Sequence, residues 1–480
     1  MTRMAGQAHY TSAPPSAGAP HGGFRFTAVS PTARPVLDVL RPLTGYARPP
    51  RTDRHHHFPV AFAYDRPDDD AAVLTRTVFT GHDYSGRWGN HFCHAWYATP
   101  DELAGLRPVE LWDSPDWAPA PACDDGGLPD LTQLVPGSAV GPDRAARLLA
   151  GHGVPGVRLL ERLLTAALRA LGGEGPAATL VSADPDRVVD WIAAASYTLP
   201  AGLAARLTFT TYTARPEDDH HHLTGTRPET GDRVTGPVFD LGRLTVTGCP
   251  EPGPAARFLA GALGSGRLDA LDAVAELWDA GPADDVEAGV RRLRAGCALL
   301  AGDSDAGAFG GEGSSLVGFV RGVAELRPQE AGLAPERLRD AVARHLADGT
   351  APLGDVRAAT APLPEPYRRA VLAGLLGALE TSAELRTAAL DAQACASLAT
   401  LVEEAPDLLA AGPATALYAL RRAPGEPRPA ALRILRLFRQ GLWEETETYE
   451  ALRELVAADK RQPDRAPWLL RRRGPAREKE

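Results

Sequence analysis

The segment Gly81-His82-Asp83-Tyr84-Ser85-Gly86-Arg87-Trp88-Gly89-Asn90 holds the residue types best suited to recognising something. Arg87 carries a planar guanidinium that can grip a phosphate or carboxylate in two-pronged fashion. Asp83, Ser85 and Asn90 offer orienting hydrogen bonds. Gly86 and Gly89 permit positive φ angles, which turn backbone N–H groups toward one point. The chemistry would be binding of an anion or an acidic partner. The competing reading is a long hairpin loop stapled by its own polar groups, with Tyr84 and Trp88 packed beneath. His82, His91, Cys93 and His94 are ligand types for zinc. On a strand, however, His91 and Cys93 share one face and His94 takes the other, whereas zinc needs at least three ligands on one side. No metal or other cofactor is expected.

Other clusters point to solvent. The triplets His55–His57 and His220–His222 sit in polar loop sequence beside Asp or Arg, with no HExxH spacing, and read as solvated loops. Asp65, Asp68, Asp69 and Asp70 lack the glycine and terminal glutamate of a calcium loop. There is no GxSxG; Gly302-Asp303-Ser304 comes nearest, but it follows a helical pattern rather than a strand. The only lysines are Lys460 and Lys479, so no GxxxxGK[ST] loop exists and P-loop chemistry is excluded.

Composition narrows the partners. The net charge of −10 gives no basic footprint for nucleic acid. The Arg471–Arg473 cluster lies in a tail with Glu478 and Glu480. The longest apolar stretch, Ala370 to Leu379, is half of the about 20 residues a bilayer requires. Met1 to Tyr10 has no apolar core of a secretory signal. Cys93, Cys123, Cys249, Cys297 and Cys395 are scattered with no CxxC, as suits a reducing cytoplasm.

These residues must be held by an α+β multidomain architecture. An antiparallel β-rich N-terminal domain is expected over residues 1–120. Its strands are Gln7–Ser12, Gly23–Ser30, the hairpin 58–65 with 71–80, and His91–Ala98, with a short helix over Pro31–Leu40. A Pro/Gly/Asp-rich linker follows at 121–141. An α/β middle domain spans 142–250. It has a helix from Pro142 to Leu171, a strand at Ala177–Val181, and a helix from Asp184 to Ser196 capped by Asp184. Further strands are expected at Leu207–Tyr212 and Val238–Val246. Residues 254–480 carry helical periodicity, including Ala430–Gln440, and read as an α-helical C-terminal domain.

Several of these residues also form a recognisable pattern. They are His9-Tyr10-Thr11-Ser12, Gly23-Phe24-Arg25-Phe26 with Val29-Ser30-Pro31, Pro42-Leu43-Thr44-Gly45-Tyr46, and Asp83 to Asn90 leading to Phe92 and His94, with Leu111-Trp112. Together they resemble the N-terminal domain of the actinobacterial GTPase-associated protein 1 family. Tyr197-Thr198-Leu199-Pro200 and Leu207-Thr208-Phe209-Thr210-Thr211-Tyr212 are similar to its middle domain. The helical remainder is similar in kind to its C-terminal domain. Trp88, His91 and Cys93 depart from the family pattern. The resemblance implies a protein that works beside a separate GTPase in a multi-component bacterial conflict or defence system, and it brings no assigned activity with it.

The expectation is therefore a cytoplasmic, non-enzymatic adaptor for a partner GTPase, binding through Asp83, Tyr84, Ser85, Gly86, Arg87, Gly89, Asn90 and His94. Two rivals are a regulator of the partner's GTP turnover through an exposed arginine and a hydrolase built on Ser85 and His94.

Overall fold

The computed structural model describes residues 4–16, 20–49, 58–103, 105–122, 126–231, 234, 236–279, 285–300, 316–329, 333–347, 356–381, 450 and 453. His55–His57, Cys123, Gly302-Asp303-Ser304, Cys395, the helix expected over Ala430–Gln440 and the Arg471–Arg473 cluster lie outside the described residues.

Alternating apolar residues produce the N-terminal strands β1 (Gly6–Ala13), β2 (Gly23–Val29), β3 (Ala61–Asp68), β4 (Ala71–His82) and β5 (Trp88–Ala98). Pro35 interrupts the expected helix at 31–40, because proline lacks the N–H that a helix interior needs. What forms is α1 (Leu37–Leu40) between two 3-10 turns, Arg34–Val36 and Arg41–Thr44. A short strand, β6 (Gly126–Gly127), completes this region. The middle region supplies α2 (Pro142–Leu171), β7 (Ala178–Val181), α3 (Pro185–Thr198), α4 (Ala201–Ala204), β8 (Phe209–Thr210), β9 (Leu223–Thr226), α5 (Pro228–Gly231), β10 (Val238–Asp240) and β11 (Thr245–Thr247). Helices α6 (Pro254–Gly264), α7 (Leu268–Asp279) and α8 (Val286–Leu300) follow.

All eleven strands join one sheet, in the order β11-β10-β7-β9-β8-β3-β4-β5-β1-β2-β6. The half from β3 to β2 is antiparallel, and the run β10-β7-β9-β8 is parallel. The halves meet where β3 pairs antiparallel with β8, Ala63 opposite Thr210 and Tyr64 opposite Phe209. The expected strand at 207–212 shrinks to the two residues of β8. Beyond Thr210 the backbone turns aside, with Thr211 N–H donating to Phe62 O and Thr213 N–H to Gly225 O. Strand β9, absent from the sequence expectation, has Gly225 and two threonines in four residues, which is a weak strand signal.

Period-two alternation sorts the N-terminal side chains onto two faces. Ala8, Val73, Cys93 and Ala95 pack with Ala33 and Leu40 on one face. Phe92, His94 and Trp96 alternate with them along β5, and His9 alternates with Ala8 on β1. Helix α2 is amphipathic and buries Leu159, Leu160, Leu163 and Leu164. It kinks at Gly153, whose φ of 59° suits only glycine, two residues before Pro155. Asp184 caps α3 by accepting from the Asp186 N–H at 3.0 Å.

The stretch expected as a linker is bonded into the sheet. Asp130 receives Thr32 N–H and Oγ1 at 3.0 and 2.9 Å, Gln7 Nε2 donates to Pro129 O at 2.8 Å, and Ala5 bridges Leu131. Residues 1–300 form one compact unit, and 301–480 a second. Helices α6–α8 thus belong to the first unit, although the sequence assigns them to the C-terminal domain. In the second unit the described helices are α9 (Leu316–Glu325), α10 (Pro335–Ala347), α11 (Val356–Thr360) and α12 (Glu365–Thr381). Tyr367 fixes the start of α12 by donating to Leu333 O at 2.7 Å. Among the described residues no helix is long and apolar enough to cross a membrane.

Candidate functional site

The Gly81–Asn90 segment is the tip of the β4–β5 hairpin, and Asp83 organises it. Its Oδ1 accepts from Ser85 N–H (2.8 Å), Ser85 Oγ (2.7 Å) and Arg87 N–H (2.9 Å). Its Oδ2 accepts from Arg87 Nε at 3.0 Å and pairs with Arg87 Nη2 at 3.0 Å. Backbone bonds Asp83 N–H to Arg87 O and Gly86 N–H to Asp83 O close the turn. Gly81, Gly86 and Gly89 have φ of 86°, 81° and 121°, open only to glycine at little cost. Desolvation opposes ionisation of Asp83, but the bonds from Ser85 and Arg87 outweigh it and hold the carboxyl at about 2.

Arg87 therefore folds back on its own loop instead of reaching outward as a free clamp. Its side chain is still 69% exposed. Tyr84 lies exposed over Gly22, where any Cβ would collide with the Tyr84 hydroxyl. Phe24 of β2, one strand beyond β1, is also exposed and stacks on His91 at 4.5 Å. Asn90 points back to β1, its Oδ1 accepting Ser12 N–H at 3.2 Å. The structure thus gathers Asp83, Tyr84, Ser85, Gly86 and Arg87 at the tip, with Gly89 and Asn90 at its base.

His94 is not part of that tip. It is 1% exposed, and its Nδ1 accepts the Ala118 N–H at 3.0 Å. Its Nε2 lies 2.9 Å from Gln7 Oε1 and 3.1 Å from the Trp96 indole N–H, which donates to it. Burial, then His9, then Arg76 hold its pKa well below the ordinary value. Its cross-strand partner His9 does the same work, accepting Ala122 N–H on Nδ1 at 2.9 Å. Burial brings His9 down to about 4. Two neutral histidines thus pin the Ala118-Pro119-Ala120-Pro121-Ala122 strap to the sheet. Trp117 stacks on Trp96 with centroids 3.6 Å apart and donates to Leu111 O. The hydrolase reading is corrected here: the Ser85 hydroxyl engages Asp83 and Arg87, the His94 ring is filled by Gln7 and Ala118, and no dyad forms. The zinc quartet does not converge either. His91 Nε2 meets Thr44 O at 3.1 Å, and Cys93 lies in the core on the face opposite His94, with its thiol pushed up to about 12 by burial.

Asp83→Ala is expected to loosen the tip without unfolding the sheet. Amide exchange at Ser85 and Arg87 should rise roughly five-fold or more. Hydrogen-exchange NMR checks this, and unchanged rates would show that the backbone holds the loop without Asp83.

The middle-region motif residues lie at the seam with the N-terminal half. Tyr197 Oη donates to Glu110 Oε1 at 2.7 Å, beneath the Arg107 guanidinium. Arg107 also bonds Ser196 O. Tyr212 Oη donates to Ala47 O at 2.9 Å, and Tyr64 Oη to Ala205 O at 2.5 Å.

A second polar cluster sits on the same seam, where the sequence suggests only a solvated loop. His220 Nε2 lies 2.6 Å from Asp65 Oδ1, and His221 Nε2 lies 3.1 Å from the same oxygen. His221 Nδ1 meets Asp219 Oδ1 at 2.7 Å. Thr224 Oγ1 and the His221 N–H also donate to Asp219 Oδ1. The His221 side chain is only 6% exposed. Burial would discharge it, but Asp219 and Asp65 raise it to about 9. Burial likewise opposes the Asp65 charge, yet contacts from His220 and His221 hold it at about 2. The sequence signal for this cluster is the run Glu217-Asp218-Asp219-His220-His221-His222; its partner Asp65 is 155 positions away from His220.

Fold and site together define an α+β multidomain protein with a fused antiparallel–parallel sheet and a self-locked hairpin tip. Residues 4–134 match the model for GTPase-associated protein 1, N-terminal domain type 2, and residues 146–244 match that family's middle domain. The chain thus carries, in order, the N-terminal and middle domains of the GTPase-associated protein 1 family. It is 31% identical over 183 residues to SaeB of Mycolicibacterium smegmatis strain ATCC 700084, described as a candidate ESX-1 scaffolding and assembly protein. The counterpart in strain MKD8 is 30% identical over 186 residues. Each alignment covers 37% of this chain, which spans about a fifth (22%) of the length of these curated relatives. No solved structure matches the chain.

Proposed function

We propose that this chain is a non-enzymatic cytoplasmic adaptor that holds a partner GTPase within a bacterial multi-component system of the conflict or defence type. The observation that carries the reading is the β4–β5 tip. It is locked internally by Asp83, yet exposes the Tyr84 ring and the Arg87 guanidinium. Tyrosine and arginine anchors on a rigid loop suit protein recognition, because little conformational freedom is lost on binding. The family's name, and the scaffolding role in the description of SaeB, support an assembly function over a catalytic one. Control of GTP turnover is the weaker reading for Arg87, whose Nε and Nη2 are already held by Asp83.

The test is affinity measurement between the purified chain and the GTPase encoded nearest its gene. Tyr84→Ala and Arg87→Ala are each expected to weaken binding by roughly ten-fold or more, at unchanged melting temperature. Absence of any complex would remove the adaptor reading. A complex insensitive to both variants would move its interface away from this tip.

A further inference from the structure

We propose that Asp65, His220 and His221 form a binding site for a divalent cation of the zinc class, with Asp219 orienting His221. One ligand atom from each of Asp65, His220 and His221 lies within 4.8 Å of the other two. Two imidazoles and one carboxylate are a donor set that suits zinc among the common divalent cations.

The arrangement around His221 points to a cation rather than to an ordinary ion pair. Asp219 accepts from His221 Nδ1, the outer-carboxylate contact that fixes a metal-binding imidazole. Thr224 Oγ1 and the His221 backbone N–H hold Asp219 in turn, so its position is set independently of Asp65. The Nδ1 bond directs Nε2 toward Asp65. Nε2 is buried, approaches Asp65 Oδ1 to 3.1 Å and makes no hydrogen bond there. A buried ring nitrogen facing a ligand-type carboxylate without a hydrogen bond is well disposed toward a shared ion.

Ligands bonded at 2.0–2.2 Å around a tetrahedral zinc stand about 3.3 Å apart. The His221–Asp65 separation of 3.1 Å is already near that value. The His220–Asp65 separation of 2.6 Å must open by about 0.7 Å to reach that ligand spacing. His220 can make that movement, since its side chain is 66% exposed. Three protein ligands leave a fourth position for water on the exposed His220 side. The cation would tie β3 to the segment before β9, across the seam between the two halves of the sheet. Its role is that of a staple, since bound metal adds its binding free energy to folding.

Zinc titration of the chelator-stripped full chain by calorimetry tests the proposal, together with melting curves and the visible spectrum of the cobalt(II) form. The expected result is one equivalent bound at micromolar affinity or tighter, a zinc-dependent rise in melting temperature, and cobalt bands of a four-coordinate nitrogen/oxygen site. His220→Ala and Asp65→Asn should each weaken uptake by more than roughly ten-fold. His220 is exposed, so its alanine variant keeps the fold and serves as the decisive one. Absence of saturable uptake would overturn the site, as would uptake that His220→Ala retains at full affinity.

Discussion

Trp96→Ala is expected to destabilise the sheet by about 3–5 kcal/mol, the range for emptying a large aromatic site. Trp96 is 0% exposed and lies opposite Leu74 of β4 in the centre of the antiparallel half. Its ring stacks on Trp117 with an interplanar angle of 5° and meets the edge of His94. Removal takes away the floor on which Trp117 rests, and Trp117 begins the strap that His94 and His9 hold. The loss should therefore spread to Ala118 and Ala122, whose N–H groups depend on those rings. Trp96→Phe keeps an aromatic surface and should cost less, about 1–3 kcal/mol. Denaturant unfolding followed by far-ultraviolet circular dichroism measures both. A loss below about 1 kcal/mol for the alanine variant would mean that the Trp96–Trp117 stack contributes little.

Acid should destabilise the fold well before its carboxylates titrate. His9 and His222 are held neutral with pKa values of about 4, and His94 is held well below its ordinary value. Burial is the leading cause in all three; at His222 the charges of His221 and His220 add to it. A depressed histidine contributes stability that is complete above its unfolded value near 6.5 and is lost as pH falls toward the folded value. Protonating Nδ1 of His9 or His94 also removes the acceptor of a strap N–H. Asp65, held at about 2, keeps its contribution through this window. His221 has the opposite sign. Raised to about 9, it stabilises fully below 6.5 and loses that contribution as pH rises through 9. Stability should accordingly peak near neutrality. It should fall between pH 6.5 and 4, by on the order of 3 kcal/mol for each of His9 and His222, and decline again toward pH 9. Melting curves across pH 4 to 9.5 test this. A flat profile between 6.5 and 4 would show that the buried histidines are not held neutral.

Much of the N-terminal half was legible from local pattern. The alternation around Val60, Phe62 and Tyr64 and the turn at Pro67–Asp70 mark the β3–β4 hairpin, which forms with Asp68 opposite Ala71. Strand parity alone separated His91 and Cys93 from His94. The candidate loop was legible as a loop, but whether Arg87 would reach outward was not. That depended on the Asp83 carboxylate, which captures the guanidinium once the hairpin brings them together. Proline overrides local pattern in two places: Pro35 shortens a helix to one turn, and the proline-rich stretch after Trp117 is a pinned strap rather than a free connection.

The sequence by itself determined the N-terminal strands β1 to β5, the amphipathic helices, the absence of P-loop chemistry and the glycine-framed turn at Gly81–Asn90. Each of these follows from interactions among residues a few positions apart, or from a residue type that is missing altogether. Only the tertiary structure decided that His94 is a buried acceptor, that two motif regions share one sheet, and that Asp65 meets His220 and His221. Those outcomes depend on which distant backbone lies alongside, and burial then sets the charge of every group trapped there. At Gly81–Asn90 the two kinds of determination meet: the sequence made the loop, and the fold turned its arginine inward upon Asp83.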